Sequence, residues 1–118
     1  SNSLTINAYG PGWIEVNGQK FEQSLTVSSL PGAIPSAWNV GRFEDLGPTS
    51  FDSLACSGAE LVIFGSGQRL RFPQAIWLRP LIDRGIGIET MDTPAACRTY
   101  NILASEGRKV VVALLQEA

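Results

Sequence analysis

Histidine is absent from the 118-residue chain, and cysteine occurs only twice. Without histidine, the Ser–His and Cys–His pairs that activate many nucleophiles cannot form within one chain. The sequence shows no other complete set of catalytic groups, so the catalytic residues, if there are any, are unknown. Cys56 and Cys97 are far apart in the sequence and cannot by themselves supply a four-ligand zinc site. We predict no metal and no cofactor. A disulfide between the two is the alternative, but reduced thiols are expected, because the chain lacks the cysteine density of disulfide-stapled domains.

Clusters of basic residues and long apolar runs are also missing. The nine Lys and Arg residues are spread along a chain of net charge −2, so no nucleic-acid partner is expected. The longest strongly apolar run, residues 110–115, is far shorter than the ~20 residues that span a bilayer, and no membrane span is predicted. We expect a cytoplasmic location, or the mitochondrial matrix if the source is eukaryotic. Residues 1–3 are typical of an expression-tag remnant.

The composition that is present, 44% hydrophobic and 17% charged, predicts one globular domain over residues 1–118. The order of its predicted strands and helices, given below, makes it an α/β domain. Its first part is β-like. Alternating residues and the hairpin dipeptide Asn17-Gly18 predict an antiparallel β-meander over residues 4–29. A short strand is expected at residues 38–40. The apolar run at 60–64 has the length of a strand that is buried on both faces.

From Thr49 onward the predicted order is helix, strand, helix, strand, helix, strand, which favours crossover helices and a partly parallel sheet. A short helix from Pro48 is expected to end at Gly58. Residues 74–84 are helical, but Pro80 predicts a kink or two short pieces. Strands follow at 86–91 and 109–115. Between them, Thr93 is the expected N-cap of a helix that ends at Gly107.

Two loops should meet beyond the carboxyl ends of these strands, where open α/β sheets bind ligands. The first, residues 65–73, contains Gly65, Ser66 and Gly67, followed by Arg69 and Arg71. Glycines allow close backbone approach, and the arginines offer bidentate hydrogen bonds to a carboxylate or phosphate. In the alternative interpretation, the glycines form a tight turn and the arginines are solvated. The lone Gly-x-Gly fits neither dinucleotide nor Walker patterns.

The second loop, residues 91–94, leads into the last helix. Asp92 is either a general base or an ordinary first-turn carboxylate that the helix dipole favours. Arg98, Asn101 and Ser105 form a polar row, interpreted as site residues or as a solvated face. A neighbouring row is expected to pack on the sheet; it comprises Ala96, Tyr100, Leu103 and Gly107.

Cys97 falls in the first turn of the same helix. The helix dipole and the adjacent Arg98 would lower the pKa of a thiol there, which motivates a redox or nucleophile hypothesis.

Several motifs carry a family resemblance, in segments 9–18, 60–67, 71–73, 85–93, 95–103 and 106–108. Together they resemble the family called domain of unknown function 498, which includes the mitochondrial respiratory complex I assembly factor 3. The resemblance implies a three-layer α/β fold with a mixed central sheet and crossover helices, preceded by the meander. It implies no established reaction. Family members usually have Gly-Thr-Gly where this chain has Ser66 between its two glycines, which keeps the hydroxyl.

The resemblance also places a shared site at motif positions of this chain. We therefore predict ligand-binding residues as one set: Gly65, Ser66, Gly67, Arg71, Asp92, Thr93, Arg98 and Asn101. The leading hypothesis is a non-enzymatic binding or assembly-type factor with a protein partner. The alternative is a binding protein or small enzyme for an anionic metabolite at these residues. The third hypothesis is a homodimer formed through an exposed Trp13 or Trp38.

Overall fold

A computed structural model describes residues 3–117; residues 1 and 2 of the predicted tag remnant lie outside this range. The chain begins with an antiparallel sheet of β1 (Ile6–Gly10), β2 (Trp13–Val16) and β3 (Gln19–Phe21). Asn17 and Gly18 both have positive φ, 48° and 85°, as a two-residue type I′ hairpin requires. The predicted hairpin is confirmed.

The central sheet has five strands: β4 (Leu25–Ser28), β5 (Ser36–Ala37), β6 (Leu61–Gly65), β7 (Gly87–Met91) and β8 (Val110–Leu114). Their order is β5-β4-β8-β6-β7. The β8–β6 and β6–β7 pairs are parallel, whereas β4 is antiparallel to both β8 and β5. The sheet is therefore mixed, and the predicted α/β class is confirmed.

Two strand predictions were wrong. Residues 25–28 belong to the central sheet rather than to the meander, because β4 pairs with β8 near the end of the chain. The short strand expected at 38–40 lies at Ser36–Ala37 instead, and Trp38 turns into the core. Local alternation identifies a strand but does not reveal which sheet it joins, since that depends on distant partners.

The helices on one side of the sheet are short. Phe43–Asp45, Pro48–Phe51 and Ala75–Leu78 are 3₁₀ turns; α1 (Asp52–Ala55) and α2 (Arg79–Ile82) are single α-helical turns. The predicted two pieces at 74–84 are confirmed. Pro80 lies in the first turn of α2, where its missing N–H is not needed.

One longer helix, α3 (Thr93–Ser105), covers the other side. Its N-cap is Asp92, one residue before the predicted Thr93, because the Asp92 carboxylate accepts a hydrogen bond from the Ala95 N–H at 2.8 Å. The buried row was also partly wrong. Ala96 and Tyr100 are buried and Leu103 is half-buried as part of the predicted row, but Gly107 lies beyond the helix and is exposed, and Ala104 is buried instead.

The core has two parts, one on each face of the central sheet. Along β8, Val110, Val112 and Leu114 face α3 and the meander. The alternate residues Val111 and Ala113 face the short helices. This alternation gives the three layers that the family resemblance implied. Within residues 3–117, no helix combines the length and hydrophobicity that crossing a bilayer requires.

Candidate functional site

The carboxyl ends of the parallel strands β6, β7 and β8 meet at one edge of the sheet. The Ser66 N–H donates to the Met91 carbonyl at 2.9 Å, and the Leu115 N–H donates to the Gly65 carbonyl at 2.9 Å. Both loops that the sequence singled out therefore lie at this edge, and the segment after β8 joins them.

Gly65 allows the start of α3 to pack closely on the sheet. A Cβ atom at this position would lie 3.1 Å from each of three atoms: Ala96 Cβ, Leu114 Cδ2 and Thr93 Cα. The backbone atom of Thr93 has little room to yield. A side chain here would push the helix N-terminus away from β6, so close packing accounts for this glycine.

Thr93 connects the three strand ends. Its hydroxyl accepts the Gly67 N–H at 2.9 Å and donates to the Leu115 carbonyl at 3.0 Å. Its own N–H donates to the Gly67 carbonyl at 2.7 Å. The side chain is buried, and its hydroxyl is already used as both donor and acceptor.

Ser66 shapes the turn after β6. Its buried hydroxyl donates to the Arg69 carbonyl at 2.8 Å and accepts the Arg71 N–H at 2.9 Å. Gly67 follows with φ at 106°, and a Cβ there would approach Arg71 Nη2 to 2.7 Å. The loop is therefore closed around the Arg71 side chain.

The guanidinium of Arg71 has protein partners on several sides. Nη2 donates to Glu117 Oε1 at 2.6 Å and to the Ser66 carbonyl at 2.7 Å, and Nε donates to the same carbonyl at 3.2 Å. The guanidinium carbon lies 4.6 Å from the centre of the Phe43 ring. The side chain is 17% exposed. An external anion would have to compete with the Glu117 carboxylate for it.

Glu117 is the site residue that sequence reasoning missed. Its second oxygen accepts the Phe43 N–H at 2.8 Å, so the carboxylate links the chain end to two loops. Partial burial would raise its pKa, but the hydrogen bonds from Arg71 and Phe43 outweigh this and hold the pKa of Glu117 below its usual range. The available signal was its position: a carboxylate following a buried parallel strand arrives at the same edge as residues 65–71.

The remaining predicted residues hold α3 in place. The Asp92 side chain caps the helix. The Asn101 amide accepts the Ile6 N–H at 2.9 Å and donates to the Ile6 carbonyl at 2.8 Å, as a strand neighbour would. Arg98 is exposed and donates to the Tyr9 hydroxyl at 2.8 Å, a bond that raises the pKa of Arg98. The contacts of Asn101 and Arg98 are thus with β1.

Cys97 does not have the properties of a reactive thiol. The side chain is fully buried, and burial raises its pKa to about 12, although the neighbouring Arg98 acts in the opposite direction. The hypothesis of a lowered pKa was wrong because desolvation outweighs the nearby charge. Both Cys56 and Cys97 are free thiols.

The third hypothesis relied in part on an exposed Trp38, and this was wrong. Trp38 is 6% exposed, its indole N–H donates to the Ser50 carbonyl at 2.9 Å, and its ring meets Phe51 and Phe64 edge-on. Trp13 is half-buried, with the Lys20 ammonium 5.1 Å from the ring centre. The short helices therefore bury Trp38 in the core.

A cavity of about 300 Å³ opens beside the glycine loop (residues 65–67), between Gly67, Gln68 and Glu117. Gln116 also lines it, and the side-chain oxygen of Gln116 is buried without a hydrogen-bond partner within residues 3–117. Among those residues, no group of three Cys, Asp or Glu side chains is placed to hold a metal ion.

Comparison with known proteins agrees with the motifs and the fold. Residues 6–115 match the model of the family described as "Protein of unknown function (DUF498/DUF598)". The chain belongs to this family. In a crystal structure of a Bordetella parapertussis protein, 39% identical, the fold superposes with a TM-score of 0.90 over 99% of this chain and 98% of that one.

Vertebrate relatives carry a functional name. The chain is 34% identical to NADH dehydrogenase [ubiquinone] 1 alpha subcomplex assembly factor 3 of Bos taurus, over 96% of this chain and 61% of that protein. It is 36% identical to the Danio rerio protein of the same name, over 98% and 66%. The chain thus spans a little under two thirds of the length of these relatives.

Proposed function

We propose that the chain is a non-enzymatic assembly-type factor that acts by binding another protein. The name shared by the Bos taurus and Danio rerio relatives supports this role, because almost the whole of this chain aligns with them. The partner of this chain need not be the one that those names state.

The observation that carries the proposal is that polar side chains at the carboxyl edge of the sheet already have hydrogen-bond partners within the protein. Among the polar side chains predicted to bind a ligand at this edge, Ser66, Thr93 and Arg71 each have their hydrogen bonds within the protein. A catalytic site needs a nucleophile, base or anion-binding group that is free to meet a substrate. Here the same groups connect three strand ends and the chain terminus.

Purification under native conditions tests the proposal. The chain would carry an affinity tag, be expressed at its natural level in its source cells and be analysed by light scattering and mass spectrometry. We expect a defined complex with a named second protein in constant ratio. Repeated recovery of a lone monomer, at protein concentrations that match those in the cell, would argue against an assembly role.

The anionic-metabolite alternative remains a prediction with its own test. A thermal-shift screen against anionic metabolites and nucleotides would include Arg71→Ala and Arg98→Ala. A ligand at ~100 times its Kd adds roughly 2.7 kcal/mol, which is several degrees in a domain of this size. We expect no such shift. A shift that Arg71→Ala abolishes would instead favour a ligand site at residues 65–71.

A further inference from the structure

Exposed apolar side chains are concentrated in the segment that follows the glycine loop. Among residues 3–117, six large apolar side chains are exposed, and four lie between residues 70 and 82: Leu70, Phe72, Ile76 and Ile82. Phe72 and Ile76 are 69% and 63% exposed. Exposed apolar groups that cluster in this way mark interaction sites. We call residues 69–84 the 69–84 surface.

The two halves of this surface are held together by one aromatic ring. Phe43 lies under the guanidinium of Arg71, at 4.6 Å, and its ring centre is 6.0 Å from that of Trp77. The exposed Phe72 follows Arg71 in the chain, and the exposed Ile76 precedes Trp77. Because Phe43 contacts both the loop and the helical turns after it, the exposed apolar side chains of the two parts lie on one connected surface.

The helical part has an inner and an outer side. Leu81 is buried, and Trp77 and Leu78 are half-buried. Ile76, Arg79 and Ile82 are exposed and are spaced three residues apart, which brings them to neighbouring positions on successive turns. An arginine thus lies between two exposed isoleucines on the outer side.

The charge of the surface differs from that of the rest of the chain. Residues 69–84 contain four arginines and one aspartate, whereas the remainder has five basic and ten acidic residues. Arg71 is paired with Glu117, but Arg69, Arg79 and Arg84 are exposed. A basic, apolar surface on an acidic protein complements an acidic partner.

The chemistry of the surface favours a protein over a membrane. Every basic residue in it is arginine, which forms bidentate pairs with carboxylates, and arginine and aromatic residues are enriched in protein interfaces. Sequences that recognise anionic lipids usually contain clusters of 4–8 basic residues. Three exposed arginines, one of them within 3.5 Å of Asp83, fall below that number.

We infer that the 69–84 surface binds a segment of the partner protein that combines acidic and apolar side chains. This rests on the proposed function and adds to it where contact is made and what chemistry the partner presents. The apolar contacts supply the driving force, and the arginines pair with the carboxylates of the partner.

Site-specific photocrosslinking in source cells tests the inference. A benzophenone amino acid would replace Phe72 or Ile76 and, as matched exposed controls elsewhere, Ile34 or Ile102. We expect a protein adduct at least tenfold stronger at 72 and 76 than at 34 and 102, with the crosslinked peptide rich in Asp or Glu and apolar residues. Because all four side chains are exposed, each variant should melt within a few degrees of the parent.

Each other outcome would overturn the inference in a recognisable way. A protein adduct at 34 or 102 alone would place the contact elsewhere and leave the proposed function standing. Adducts to lipid, to a second copy of the chain, or to a peptide without acidic residues would identify a different occupant. Absence of a protein adduct at all four positions would count against the proposed function as well.

A charge reversal provides a second readout. Arg79→Glu should reduce the yield of the crosslinked adduct at position 72 at least fivefold, whereas Arg42→Glu should leave that yield unchanged. The two arginines are matched, since each is 66% exposed and each pairs with a nearby aspartate. Equal loss in both variants, or loss in neither, would show that the local charge of the 69–84 surface does not select the partner.

Discussion

The two faces of the central sheet are closed in different ways. On one face, the 13-residue α3 and the meander cover the sheet, and Asn101 and Tyr100 hydrogen-bond to backbone carbonyls near the chain start. On the other, turns of three or four residues surround an aromatic cluster of Trp38, Phe51 and Phe64.

The comparison shows how helix length affects the surface. A longer helix turns one row inward and leaves mostly polar residues outside, with Ile102 the exposed large apolar side chain on α3. Short turns have too few positions to do so, and the segment over the second face leaves Phe72 and Ile76 in solvent. Both faces bury a core, but only the second leaves a group of large apolar side chains exposed in one short segment, residues 70–82.

The largest expected effects test whether both faces are equally necessary. Phe51→Ala and Tyr100→Ala each remove a fully buried ring, one from each face, and each should lower the free energy of unfolding by about 3–5 kcal/mol. Urea denaturation measures this loss. Ile102→Ala, on the outer side of α3, is the control and should stay within about 0.5 kcal/mol. A loss under ~1 kcal/mol for either ring would mean that its face contributes little to the fold.

The next prediction concerns the attachment of α3 to the meander. Asn101→Ala removes two hydrogen bonds and leaves the Ile6 N–H and carbonyl without these partners, which should cost roughly 2 kcal/mol. Arg98→Ala removes an exposed contact to Tyr9 and should lower the free energy of unfolding clearly less than Asn101→Ala does. Chemical denaturation of both variants compares them. If Asn101→Ala were as stable as the parent, a role outside the fold would have to explain this residue.

Alkaline pH should weaken the α3 face through Cys97. Because burial raises the pKa of this thiol to about 12, the folded state holds the neutral form. That stability is present below the ordinary thiol pKa and is lost as pH rises through the folded value; at pH 10.5 the loss is roughly 2 kcal/mol. The measurement is the pH dependence of Tm from 8 to 10.5, which should be steeper for the parent than for Cys97→Ala. Parallel curves would contradict the burial argument, as would labelling of native Cys97 by iodoacetamide.

The smallest effect is expected for the Arg71–Glu117 pair. A double-mutant cycle with Arg71→Met and Glu117→Gln should give a coupling of about 1 kcal/mol, since both side chains are partly exposed. The lowered pKa of Glu117 means that this contribution is present above the usual carboxyl range and is lost as pH falls. The coupling should therefore shrink in acid.

The exposed Arg42–Asp45 pair, at 3.6 Å, provides the control cycle and should give a clearly smaller coupling. Equal coupling energies for the two pairs would show that the Arg71–Glu117 contact at the strand ends contributes no more than an ordinary surface ion pair.

Much of the fold could be predicted from the sequence because its signals are local. Asn17-Gly18 specifies its hairpin through the φ angles that these residues tolerate, and Pro80 divides residues 74–84 because it lacks an N–H. The candidate site was predicted less completely. The edge at which Gly65 and Thr93 meet followed from strand order, but Glu117 and Phe43 were missed.

The sequence by itself indicated most of the strands and helices, showed which strands are buried, and excluded histidine as a catalytic group of this chain. The tertiary structure alone decided what the polar side chains do, because their partners are distant in the chain: Arg71 meets Glu117 across 46 positions, and Asn101 meets Ile6 across 95. A guanidinium or an amide has the same hydrogen-bonding capacity in a ligand site and in a structural contact. Folding selects between the two by bringing a carboxylate or a strand backbone within reach.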